Sequence, residues 1–185
     1  MGRILHGMDI TILTMDSFPS CREVEEDADT FEGNAAKKAE AIAQCTGRTA
    51  VADDSGLVVD ALGGAPGVWS ARYAGEGADD ASNTEKLLRE LRDVPAGKRS
   101  ARFVCCIALA LPGEETALFR GTVEGFIATG PRGKSGFGYD PVFYPAGQDR
   151  TFAEMGPEEK DAMSHRREAL EKLKAFLGRS GQGVF

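Results

Sequence analysis

Asp53 and Asp54, two adjacent carboxylates in the stretch Thr49 to Leu62 (TAVADDSGLVVDAL), are the residues of this 185-residue chain best suited to chemistry. They follow Ala50-Val51-Ala52, a run with the size and β-branching of a buried strand, and precede a Ser55-Gly56 pair that reads as a turn. Acids at a strand end are costly unless something positive meets them. In open α/β sheets such ends face the ligand crevice, where a divalent metal carrying phosphate oxygens suits hard carboxylates. The alternative is an Asx-turn, with Asp54 and Ser55 bonding the backbone and Gly56 supplying a positive φ. Upstream, the acidic cluster Glu23, Glu25, Glu26, Asp27 and Asp29 reads as a solvated loop, set apart by its position just before a helix.

Two later stretches have the composition of ligand sites. In Gly130 to Tyr144 (GPRGKSGFGYDPVFY) glycines let a ligand approach the backbone, Phe137 and Tyr139 can stack on a ring, and Asp140 can accept from a base edge. The same residues also suit a β-turn leading into a strand at Pro141 to Tyr144. In Glu158 to Arg167 (EEKDAMSHRR), Ser164 is a candidate N-cap, which sets Lys160, His165 and Arg166 beside the positive end of a helix. Ordinary capping and surface charge are the competing explanation.

The elements that must position these residues follow from periodicity. Asp29 and Glu32 have capping-box spacing, and Ala35, Ala36, Ala39, Ile42 and Ala43 recur at helical intervals until Gly47. A strand is expected at Asp9 to Leu13 and a second helix opening at Ser82 and Glu85. Ala101 to Leu111 (ARFVCCIALAL) and the alternating run Ala117 to Val123 form an antiparallel hairpin across Pro112-Gly113. Ala169, Leu170, Leu173, Phe176 and Leu177 make the apolar stripe of a last helix. Arg3 to Gly7 reads as a final helical turn with no helix before it. A parallel β-α-β start followed by a hairpin implies an α/β fold with a mixed sheet.

Composition bounds the rest. At 42% hydrophobic content the chain can bury one sizeable core, so a single domain over 1–185 with two lobes is expected, residues 178–185 reading as a flexible tail. A net charge of -7 argues against a nucleic-acid partner. Four cysteines without C-x-x-C spacing and only two histidines make a zinc cage improbable, and Cys105 and Cys106 read as small buried hydrophobes. No apolar stretch reaches membrane-spanning length and the N-terminus lacks a signal-peptide pattern, which points to a reducing cytoplasm and no membrane partner.

Six motifs in order resemble the inosine/xanthosine triphosphate pyrophosphatase family: T-F-E-G-N-A at Thr30 to Ala35, A-D-D-S-G-L at Ala52 to Leu57, L-G-G-A-P-G at Leu62 to Gly67, S-A-R-Y at Ser70 to Tyr73, G-F-G-Y-D-P at Gly136 to Pro141, and S-H-R at Ser164 to Arg166. The resemblance implies an elongated mixed β-sheet flanked by helices, with two lobes around a central nucleotide-binding cleft. It further implies a homodimer, a Mg²⁺ requirement, and hydrolysis of ITP, dITP or XTP to the monophosphate and pyrophosphate. Asp54 matches the family's catalytic acid, which also holds the metal, and Glu26 the second metal-binding carboxylate. Ser55 matches a substrate contact. Phe137, Gly138, Tyr139 and Asp140 match the base-binding segment, and Lys160, His165 and Arg166 complete the nucleotide site, the His-Arg pair reading the 6-oxo edge.

The family opens with a strand and a T/S-x-N-x-x-K segment that grips the triphosphate, and these have no counterpart in the sequence. A longer natural protein or a weakened phosphate grip is therefore expected. The alternative function is a catalytically weak or inactive purine-nucleotide-binding module. A phosphomonoesterase with an Asp nucleophile is disfavoured because D-D-S-G lacks D-x-D spacing.

Overall fold

Local chemistry at the chain's turns sets the elements of the computed structural model, which describes residues 10–180. Helix α1 (Phe31–Thr46) starts where the Thr30 hydroxyl accepts from the Gly33 N–H at 3.0 Å. It stops at Gly47, whose left-handed φ of 65° lets its N–H reach the Ala43 carbonyl. The cap is thus Thr30 and not Asp29; Glu32 reaches outward to Arg120 instead. Ala35, Ala39 and Ala43 are buried, as the periodicity requires. Helix α2 (Asp80–Glu90) opens three residues before its expected Ser82 cap does its work, because the Asp79 carboxylate accepts from the Ser82 N–H. A short helix α3 (Pro157–Ala162) and the last helix α4 (His165–Ser180) follow.

Four strands, β1 (Ala50–Val59), β2 (Ser100–Ala110), β3 (Ala117–Ile127) and β4 (Phe143–Pro145), lie in the order β1-β2-β3-β4. The six-residue link between β2 and β3 makes them a hairpin, since a parallel crossover needs a dozen residues or more. β3 and β4 pair antiparallel through Gly125 and Pro145, Phe126 and Tyr144, and Ile127 and Phe143. β1 also opposes β2: Cys105 meets Asp53, whereas Ser100 and Arg102 meet Asp60. The chain has the expected α/β composition, with a sheet flanked by helices, and the four described strands are antiparallel. The parallel start expected from Asp9 to Leu13 is not among the described residues: Ile10, Ile12 and Leu13 are exposed and form no strand, and Arg3 to Gly7 lies outside them.

Two expectations about local structure are corrected. There is no turn at Ser55-Gly56; β1 runs without interruption through Asp53, Asp54, Ser55 and Gly56. The second apolar run resumes the same alternation, and Leu57 and Val59 are fully buried, so extension gains more than the turn offers. Pro141 does not begin a strand: Asp140–Val142 form a 3-10 turn before β4.

By its contacts the chain divides into two units. The first comprises the chain up to Asp54, Cys105–Gly121 and the chain from Arg166 onward; the second comprises Ser55–Val104 and Thr122–His165. In the first, the expected stripe of α4 (Ala169, Leu170, Leu173, Leu177) packs on Cys105, Ile107 and Leu109 of β2 with Val51 of β1. In the second, Leu57, Val59, Leu87, Leu91, Phe103, Phe143 and Phe152 form the core. Cys105 and Cys106 are buried free thiols, as expected, whereas Cys21 and Cys45 form a disulfide that ties the loop before Glu26 to the last turn of α1. No described helix is long and apolar enough to cross a membrane. Of the expected tail, residues 178–180 still belong to α4.

The β3–β4 pairing depends on a missing side chain at Gly125, where a Cβ would lie 2.1 Å from the Tyr144 carbonyl oxygen and 2.6 Å from the Phe143 ring. Gly125→Ala is expected to destabilise the fold by about 2 kcal/mol or more in urea unfolding. Gly97→Ala, with nothing within 4 Å, is the matched control and is expected to change little.

Candidate active site

Alternation along β1 decides what its two acids can do. Neighbouring residues of a strand point to opposite faces, so Asp53 and Asp54 meet different partners. Asp54 is nearly buried and turns toward α1: Asn34 donates its Nδ2 to Asp54 Oδ2 at 3.1 Å, and Lys38 Nζ lies 3.9 Å from Asp54 Oδ1. The same Lys38 ammonium is 2.8 Å from Glu26 Oε1, on the loop that precedes α1. Asn34 and Lys38, four residues apart, share one face of α1. Glu26 and Asp54, matched to one metal site by resemblance, are therefore neighbours across a single ammonium group.

Asp53 turns to the other face, toward α4. Its Oδ2 accepts from Arg166 Nε at 3.2 Å and Arg166 Nη2 at 2.9 Å, with Cys105 Sγ at 4.0 Å. Burial works against the charge of Arg166, and the Asp53 carboxylate more than offsets it, holding the guanidinium above its ordinary range. Ser55 follows Asp54 in the strand and by alternation lies on the side of Asp53.

Two carboxylates are hard oxygen donors suited to a divalent ion, and here the Lys38 ammonium lies 2.8 Å from Glu26 Oε1 and 3.9 Å from Asp54 Oδ1. Among the described residues no three His, Cys, Asp or Glu side chains converge. Mg²⁺ binds through one or two carboxylates and fills its shell with water and phosphate oxygens, and Glu26 and Asp54 are the pair that could hold it here.

In the second unit a buried carboxylate organises the G-F-G-Y-D segment. Asp140 is almost wholly inaccessible; its Oδ2 accepts from the Phe137 N–H at 2.8 Å and pairs with Lys160 Nζ. Gly136 makes room for it, since a Cβ there would lie 2.0 Å from Asp140 Oδ2 and φ is +83°. Gly138 is held from α2, its N–H donating to Asp80 at 2.6 Å. The result is a fixed loop that presents the Phe137 ring, 66% exposed, with Lys160 Nζ 4.4 Å from its centroid.

Tyr139 and Asp140, expected to touch a ligand, are engaged by the protein itself, and a third expected residue, His165, packs one ring face on the core. The Tyr139 ring is in the core, where its hydroxyl donates to the Ser70 carbonyl at 2.8 Å and burial pushes its pKa upward, so it shapes the loop and does not stack. Asp140 spends Oδ2 on the loop and Lys160. His165 stacks on Phe103, with centroids 5.2 Å apart and planes 12° from parallel. Asn34, Lys38 and Asp53 had no assigned partners in the sequence. The available signal was the polar pair 34 and 38 on an otherwise alanine face of α1, and the burial of Asn34 there is what the sequence leaves unstated.

Residues 1–176 match the Ham1 family. The chain belongs to that family. Its relatives named dITP/XTP pyrophosphatase include one from Halalkalibacterium halodurans, 51% identical over 94% of this chain and 90% of the relative. Another, from Geobacter sulfurreducens, is 53% identical over 98% of this chain and 91% of its own length. The Ham1 protein structure from Staphylococcus aureus superposes with a TM-score of 0.90 at 45% identity, covering 98% of this chain and 92% of that one.

The charge pair beneath the Phe137 loop is testable by itself. Lys160→Met in this Ham1-family chain leaves the Asp140 carboxylate with less compensation and is expected to destabilise it by about 2 to 3 kcal/mol, discounted for the part-exposed ammonium. Adding Asp140→Asn removes the stranded charge and is expected to recover most of that loss, measured as a double-mutant cycle in urea.

Proposed function

We propose that this chain hydrolyses non-standard purine nucleoside triphosphates (ITP, dITP and XTP) to the monophosphate and pyrophosphate, with Mg²⁺ as cofactor. The observation that carries the reading is the approach of Glu26 and Asp54, the two carboxylates that the family resemblance matches to the metal, to one ammonium. The dITP/XTP pyrophosphatase names of relatives near 50% identity support the substrate class.

Glu26 and Asp54 would hold the cation, which would neutralise charge on the phosphate oxygens. Asp54 accepts a proton from the attacking water, whose oxygen bonds the α-phosphorus while the bond to the bridging oxygen breaks and pyrophosphate leaves. Phe137 stacks on the purine, and Gly138 keeps the adjoining backbone open to it. Asp140 and Tyr139 serve by holding the loop, and Ser55 contacts the substrate from the side of Asp53 and Arg166. Lys160, His165 and Arg166 complete the nucleotide site. A 6-oxo purine offers an acceptor to the Arg166 and His165 donors; adenine offers an amino group and leaves them unsatisfied, a penalty of about 1 to 3 kcal/mol per group. The Asp53 carboxylate supports this role by fixing the orientation of Arg166. A homodimer and a cytoplasmic setting belong to the reading through the family resemblance alone, and the Cys21–Cys45 bond points the other way on compartment.

Product analysis tests the proposal. IMP and pyrophosphate are expected from ITP with Mg²⁺, with little turnover of ATP and little of either after chelation. Orthophosphate as the first product, or equal turnover of ATP, would overturn it. Arg166→Ala is expected to narrow the ITP-to-ATP ratio of kcat/KM by about tenfold or more, the factor for 1.4 kcal/mol. An unchanged ratio would place base reading elsewhere.

A further inference from the structure

Asn34 is a residue whose position in a helix needs explaining. Asparagine is a weak helix former because its side chain competes for backbone groups, yet it stands in the first turn of α1 at 1% exposure. Its amide is spent on two different segments. Oδ1 accepts from the Ala28 N–H at 2.9 Å, while Nδ2 donates to the Ala28 carbonyl at 3.3 Å and to Asp54 Oδ2 at 3.1 Å. The amide orientation is settled by its partners: flipped, it would set its oxygen against the Asp54 carboxylate and its NH₂ against the Ala28 N–H.

Ala28 lies two residues after Glu26. One buried side chain therefore ties the loop that carries Glu26 to the strand residue Asp54. Lys38 also touches both acids, but as their counter-charge; it contends for the same oxygens as any cation that binds there. Asn34 bonds the loop backbone and one carboxylate oxygen, and it can keep both bonds with the cation in place.

We propose that Asn34 is a positioning residue that holds Glu26 and Asp54 in register for a divalent cation, so that metal affinity depends on an amide that does not itself ligate the metal. The inference rests on the metal reading of Glu26 and Asp54 given above. Residues that orient metal ligands are worth about 10- to 100-fold in affinity when removed, and Asn34 bonds Asp54 directly and the backbone two residues from Glu26.

The test is Mn²⁺ binding to the full chain without nucleotide, followed by electron paramagnetic resonance, with thermal unfolding and ITP turnover as a function of Mg²⁺ measured alongside. Asn34→Ala is expected to raise the Mn²⁺ Kd about tenfold or more and to shift the Mg²⁺ activation curve upward, with kcat largely recovered at saturating Mg²⁺. Thr30→Ala, which weakens the start of α1 by removing its N-cap without touching the amide, is expected to lower the unfolding temperature and leave the Mn²⁺ Kd within about twofold. Should Asn34→Ala not fold, Asn34→Ser keeps a donor near Asp54 but loses the tie to Ala28, and it too is expected to bind Mn²⁺ more weakly. A Kd unchanged in the folded Asn34 variant, or raised equally by Thr30→Ala, would overturn the inference while leaving the metal reading intact. Absence of Mn²⁺ binding by the unaltered chain would overturn both.

Discussion

The structure depends on a carboxylate placed in the middle of a strand. Burying Asp54 in β1 carries a desolvation cost of several kcal/mol, which the fold offsets by bringing α1 against it with an amide donor from Asn34 and an ammonium from Lys38. That requirement fixes much else. It sets the rotation of α1, whose remaining buried face is alanine and so allows close approach, and it draws the Glu26 loop down through Ala28. The same alternation that turns Asp54 to α1 turns Asp53 to α4, where Arg166 meets it. The two adjacent acids thereby meet different partners, Asp54 the amide and ammonium of α1 and Asp53 the guanidinium of Arg166.

The second unit applies the same physics at smaller scale. Asp140 is a buried carboxylate satisfied by a backbone N–H and a lysine, and the loop it holds carries an exposed aromatic ring. In both units a lysine compensates a buried acid. Removing either partner therefore costs more than the net worth of the pair, because a stranded charge remains. The Ser70 hydroxyl, which accepts from the Leu57 N–H and donates to the Gly67 carbonyl, and the Ser70 carbonyl, which accepts from Tyr139, show that much of the S-A-R-Y and G-F-G-Y-D motifs is scaffold.

The sequence made legible what strong periodicity or composition carries. The β2–β3 hairpin, the apolar stripe of α4, the alanine face of α1 and the burial of Cys105 and Cys106 all follow from patterns of several residues. What it did not disclose rests on long-range choices. Ser55-Gly56 has good turn chemistry, but tertiary burial of Leu57 and Val59 outweighs it. Asp29 and Glu32 have capping-box spacing, but the helix start as fixed in space makes Thr30 the cap. The partner of Asp53 is 113 residues away, and the Cys21–Cys45 pair spans 24 residues without a spacing rule. Tyr139 read as a stacking ring because composition cannot tell an aromatic that lines a loop's outer side from one that anchors its inner side.

The most direct test of the division of labour in β1 is to compare Asp53→Asn with Asp54→Asn for Mn²⁺ binding and for turnover of ITP and ATP. The division expects Asp54→Asn to lose turnover and much of its Mn²⁺ affinity while still binding IMP. It expects Asp53→Asn to retain Mn²⁺ binding and ITP turnover but to discriminate less against ATP, its Arg166 no longer held. Equal loss of metal binding and turnover in both variants would show that the adjacent acids serve one centre, and the account given for β1 would be wrong.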